Sequence, residues 1–148
     1  MSRLSGTARA LRLGPQIWPD LAVATLELAR ARWRLGRHSA RALIELSRRQ
    51  GRPDAPVPPG AEALADRVAF AIPRVAARLP WRADCYIQAL AAQSWLARSG
   101  VPSEIWIGVR RDRAPGFEAH AWLLHDGRTV IGGDHSGFLP LVRPDTKT

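Results

Sequence analysis

Residues Trp81 to Gly100 read WRADCYIQALAAQSWLARSG. Pro80 closes the segment before them, and Asp84 is a residue type that caps helices. Cys85, Ala89, Ala92 and Leu96 then recur at i, i+4, i+7 and i+11, which is one face of a helix. Gly100 and Pro102 end it, with Arg98 in the last turn. Cys85, the only cysteine of the chain, is expected as the first helical residue. A thiol reacts as its thiolate, and a helix N-terminus favours that anion. The unpaired N–H groups of the first turn can also hold an oxyanion. Asp84 opposes thiolate formation unless its carboxylate is turned away.

Working outward from the helix, the next segments are strands. In SEIWIGVRR, Ile105, Ile107 and Val109 alternate with Glu104, Trp106, Gly108 and Arg110. RDRAPG, 111–116, is a loop. In FEAHAWLLHDG, 117–127, Glu118, His120, Trp122 and Leu124 share one face, and Ala119, Ala121 and Leu123 the other. Asp126-Gly127 marks a two-residue hairpin, Arg128 to Gly133 is its return strand, and FLPLV, 138–142, is a short strand confined to an edge by Pro140. The tail 143–148 is expected to be loose.

A cysteine opening a helix and a histidine on a downstream strand are the parts of a thiol nucleophile and its base. His120 is the candidate base, and a third group should orient its ring. Asp126 is excluded because six strand residues separate it from His120, about 20 Å. If His125 pairs with Arg128, His120 comes opposite Gly133, and Asp134 reaches it only through a bulge at Gly132-Gly133. Asp134 is therefore the chosen third member, and Glu118, on the His120 face, is the fallback. His125 and His135, near Asp126 and Asp134, fit no standard zinc spacing. No metal and no cofactor is expected.

Upstream lie helices. Asp20 is read as the cap of a helix beginning at Leu21, and Leu21, Ala24, Leu28, Ala31 and Leu35 recur at helical spacing. Gly36 is read as a break or kink before a second stripe, Ala40, Leu43, Ile44 and Ser47. Trp33 is read as an anchor in the core or against a partner helix. QGRPDAPVPPG, 50–60, is a Pro-rich connector, and 61–79 is helical again, interrupted at Pro73. The chain thus divides into an Arg-rich helical region with its connector, 1–60, and a catalytic region, 61–148.

The chain has 148 residues and a formal net charge of +9. Its hydrophobic content of 46% argues against wholesale disorder. No apolar run approaches the roughly 20 residues of a bilayer span, and no signal peptide is seen. A lone thiol is easiest to keep reduced in the cytoplasm, the expected compartment. Eleven arginines against four acids lie within the first 60 residues. Guanidinium groups suit carboxylates and phosphates alike, so charge by itself does not choose among acidic proteins, nucleic acid and anionic lipid.

Several motifs occur in a telling order: Asp84-Cys85, Gln88-Ala89-Leu90, Trp95-Leu96, Gly100-Val101-Pro102, Ile107-Gly108-Val109-Arg110, Phe117, Ala119-His120-Ala121-Trp122, Asp126-Gly127 and Gly132-Gly133. This order resembles the transglutaminase-like B protein of lasso-peptide biosynthesis, in its separate leader-peptidase form. The likeness covers about the last 70 residues. It implies an α+β, papain-like or transglutaminase-like cysteine protease fold, with N-terminal helices, a Cys-bearing helix and a small antiparallel sheet. It implies removal of the leader peptide from a lasso precursor, with Cys85 as nucleophile and His120 as base. The family's Asp follows its His by about a dozen residues, where this chain has Gly132. The partners implied are the precursor's leader, a small leader-recognition protein that delivers it, and a lasso cyclase; nucleic acid is not expected. Rival readings are an amidase or acyltransferase on the same scaffold, a basic binding module for nucleic acid or lipid, and a relic that has lost its site.

Overall fold

The computed structural model describes residues 15, 17–110 and 116–142. The irregular start, most of the 111–116 loop and the tail 143–148 fall outside them. Four helices come first: α1 (Ile17–Arg37), α2 (Ala40–Gly51), α3 (Ala61–Ala76) and α4 (Cys85–Arg98). Four strands follow: β1 (Glu104–Arg110), β2 (Glu118–His125), β3 (Arg128–Ile131) and β4 (Leu139–Val142). They form one antiparallel sheet in the order β3-β2-β1-β4. The fold is α+β, as expected.

Three helix boundaries differ from expectation. α1 begins at Ile17, not Leu21, with Pro19 inside its first turn, where a missing N–H costs nothing. Asp20 is buried instead of capping, because Arg67 of α3 grips its carboxylate with two nitrogens, Nε at 2.9 Å. That grip also holds the guanidinium more firmly protonated than usual. Gly36 does not break α1, since a glycine within a helix costs only about 1 kcal/mol. The break falls at Ser39, whose hydroxyl accepts from the Ala42 N–H at 3.3 Å and caps α2. Pro73 lies inside α3, which continues to Ala76. Trp33 is no core anchor: its side chain is 57% exposed, with the Arg37 guanidinium 4.8 Å over its ring.

α4 is the centre of the core. Every residue from Ala89 to Leu96 is buried. Ala24, Leu28 and Ala31 of α1, Ala65, Val68 and Ile72 of α3, and Ile105, Ala121, Leu123, Val130 and Ile131 of the sheet belong to the same cluster. Ala89, Ala91 and Ala92 keep α4 thin enough for its neighbours to approach. Its two buried polar residues are paired: Gln93 Oε1 accepts from Ser47 Oγ at 2.8 Å, and Ser94 Oγ meets Gln50 Nε2 at 3.0 Å and Arg34 at 3.1 Å. Glu27 of α1, also buried, holds Arg98 at the far end of α4 at 2.8 Å.

The hairpin forms as read. Asp126 and Gly127 both have positive φ, 49° and 75°, the signature of a type I′ turn. His125 pairs with Arg128 and Leu124 with Thr129, but Leu123 then pairs with Ile131. The extra residue is Val130, two positions before the expected bulge. Val130 and Ile131 can thereby both reach the core, which strict alternation forbids. In the β1–β2 ladder, Ile105 faces Leu123 and Ile107 faces Ala121 on the α4 side. Trp106 and Trp122, Gly108 and His120 are paired on the opposite side.

Gly51 is where α2 meets the start of β1. The Ser103 N–H donates to its carbonyl at 2.9 Å. A Cβ there would collide with the Ser103 carbonyl oxygen and lie 2.7 Å from Gln93 Nε2. Gly51→Ala should therefore destabilise the protein by about 1–3 kcal/mol, the cost of overpacking. Urea unfolding of the variant against the wild type reads the loss, and an unchanged midpoint contradicts the close approach.

Candidate active site

The candidate site is built from the first turn of α4 and the start of the inner strand β2. Asp84 has extended backbone angles, and its carboxylate accepts from the Ile87 N–H at 3.1 Å. The charge is thus spent on the helix backbone. The Gln88 N–H donates to the Asp84 carbonyl at 3.0 Å. Among the described residues, no hydrogen bond takes the Cys85 or Tyr86 N–H, and these two remain for an oxyanion. Cys85 is a free, half-buried thiol packed against the core. Tyr86 beside it is half-buried, and burial pushes its phenol up from the ordinary value.

His120 is the third residue of β2. Its Nε2 lies 2.7 Å from the Gly132 carbonyl oxygen. The ring is tilted over Phe138 at 5.0 Å between centroids and stacked on Trp122 at 6.1 Å. Trp122 is itself sealed by His135, whose ring lies parallel to it at 4.5 Å and 4°. A hydrogen bond of 3.0 Å between His135 Nε2 and Thr129 Oγ1 fixes that ring. Packing on these two neighbouring rings, together with the bond to Gly132, restricts the orientation of the His120 imidazole.

Tyr86 and Ile107 line one cleft between α2, α4 and β1, so the start of α4 lies beside Ile107. The next residue, Gly108, is the partner of His120. A Cβ at Gly108 would sit 2.8 Å from the Trp122 ring, so glycine is what lets that indole lie across β1. No hydrogen bond joins Cys85 to His120 among the described residues. Alternation sets the His120 side chain on the Trp122 face, and Ala121 faces α4.

The two acids considered for the third role are engaged elsewhere. Asp134 is exposed, and its carboxylate accepts from the Ser136 N–H at 3.0 Å. That bond holds its carboxyl below the ordinary carboxylate value. Glu118 pairs with Arg110 at 2.6 Å, and the same guanidinium lies 4.7 Å over Phe138. Neither acid bonds to His120. His125 is buried, and its Nδ1 donates to the Pro102 carbonyl at 2.6 Å, which ties β2 to the α4–β1 connection. The acceptor that does reach His120, the Gly132 carbonyl, has no side chain and so no signature as a residue type. The one hint was the Gly-Gly pair a dozen positions after the histidine.

No helix among the described residues is long and apolar enough to cross a membrane. No curated protein and no solved structure matches the chain. The profile of the transglutaminase-like superfamily matches residues 22–143, from the first turns of α1 to the end of β4. Domains of that kind commonly carry a Cys-His-Asp triad and act as cysteine proteases or acyltransferases. With most of its length covered by that match, this chain belongs to the transglutaminase-like superfamily.

Proposed function

We propose that the protein is a cysteine peptidase that removes the leader peptide from a lasso-peptide precursor. The observation that carries the reading is the only cysteine as first residue of a capped helix whose body is buried, together with a His120 ring that is bonded to the Gly132 carbonyl and packed on Phe138 and Trp122. The superfamily match supports acyl-transfer chemistry at a cysteine, and the motif order from Asp84 to Gly133 supports the leader-peptidase branch.

The chemistry follows from the parts. The reading requires His120 Nδ1 to come within reach of the Cys85 thiol; it then takes the Cys85 proton, and the thiolate attacks the scissile carbonyl carbon. The resulting oxyanion is held by the Cys85 and Tyr86 N–H groups. His120 returns the proton to the departing amine nitrogen, leaving a thioester on Cys85. Water then attacks the thioester, gives a proton to His120 and releases the leader as a free carboxylate. An amine in place of that water gives acyl transfer on the same site.

The partners of this reading are the leader and a leader-recognition protein, with a lasso cyclase acting on the freed core peptide. The outer face of α1 suits an acidic partner. Trp18, Leu26 and Trp33 are exposed along it, with the exposed Arg32 and Arg37 alongside. Its two acids, Asp20 and Glu27, are both buried in ion pairs.

Incubation of a lasso precursor and its leader-recognition protein with the enzyme should release the leader, read by mass spectrometry. Cys85→Ala should lower that rate by more than about a thousandfold. Equal cleavage by both proteins sinks the mechanism, and a product that has gained an amine rather than water moves the activity to acyl transfer. Separately, Arg32 and Arg37 changed together to Gln should weaken association with the leader-recognition protein roughly tenfold at low salt. An unaltered Kd removes α1 from that role.

A further inference from the structure

We infer that the Gly132 main-chain carbonyl is the group that orients His120, so that the third partner of the Cys85–His120 pair is backbone and not a carboxylate. The inference deepens the peptidase reading and rests on it for its catalytic meaning.

The argument begins with the donor and acceptor roles. A carbonyl oxygen only accepts, so the 2.7 Å contact requires His120 Nε2 to carry a proton. In the neutral ring the lone pair is then on Nδ1, which has no hydrogen-bond partner among the described residues. One contact thus settles the tautomer, points the ring and leaves one nitrogen free to act as base. A carboxylate on Nε2 would do the same in a Cys-His-Asp triad.

The main chain at Gly132 is shaped for this contact. Its φ is +111°, a region that side-chain-bearing residues rarely adopt. A Cβ there would run into Trp122 Cβ and sit 2.8 Å from Trp122 Cα and 3.1 Å from the Ala121 carbonyl oxygen. Only glycine lets β3 leave the sheet while pressed against β2, and that close approach brings the carbonyl onto the histidine ring. The bulge at Val130 sets the phase in which Gly132 arrives. Phe138 and Trp122 hold the ring against rotation. The two candidate acids are occupied, Asp134 by the Ser136 N–H and Glu118 by Arg110.

The test reads the ring directly. Protein labelled with 15N-histidine is studied by two-bond 1H–15N correlation, with the His120 signals identified by their disappearance in His120→Gln. Above the pH at which the ring is neutral, His120 should be protonated at Nε2 and bare at Nδ1. Asp134→Ala and Glu118→Gln should show the same pattern, because neither carboxylate touches the ring. A proton on Nδ1, an averaged mixture of tautomers, or a change of pattern in either variant overturns the inference. The spectrum is recorded without any peptide, so its outcome is separate from whether Cys85 cleaves a leader; a protein with the stated tautomer and no peptidase activity fails the functional reading alone.

Discussion

Everything in this molecule depends on burying α4 from all sides. A helix at the surface hides one stripe; this one hides eight consecutive residues. Its polar members must therefore find partners on neighbouring elements, because an unpaired polar group in a core costs about 1–3 kcal/mol. Gln93 finds Ser47, and Ser94 finds Gln50 and Arg34, so α1 and α2 are tied to α4 by hydrogen bonds as well as by packing. Gly51 and Ser103 complete the arrangement by joining α2 to the strand that leaves α4. The first turn of α4 escapes this enclosure. The Ile87 N–H there belongs to Asp84, while the Cys85 and Tyr86 N–H groups keep no partner among the described residues, and that is the end at which the proposed nucleophile sits.

The elements that follow α4 were legible because their signals are local. The hairpin depends on two residues that tolerate positive φ, and Asp126-Gly127 supplies them. The alternation in β1 and β2 follows from one buried face and matches the observed ladder. Cys85 as the first residue of a helix under an Asp84 cap follows from local chemistry as well.

What was not legible depends on residues distant in the chain. Asp20 looks like a cap to its neighbours, but Arg67 lies 47 residues away and takes the carboxylate inward. Trp33 carries the composition of a core residue, yet α1 turns its Ala24, Leu28 and Ala31 face to α4 and leaves Trp33 in solvent. The bulge was expected at the glycine pair and falls at Val130, because the demand comes from the core and not from the flexible residues. The orienting acceptor of His120 was sought among acids, since side chains are what a sequence displays; the nearest acceptor is a carbonyl that every residue possesses.

That carbonyl has a consequence for durability. A carboxylate that steers a histidine fails once acid protonates it, and one base change can delete it. The Gly132 oxygen carries no proton at any ordinary pH, and no side-chain replacement removes it. It is lost only when the main chain shifts, and the contact of Gly132 with Trp122 resists that shift. Vulnerability is thus moved from an acid to a glycine and the indole under it, so that lesions in this site would arise as steric crowding on the far strand and not as loss of charge.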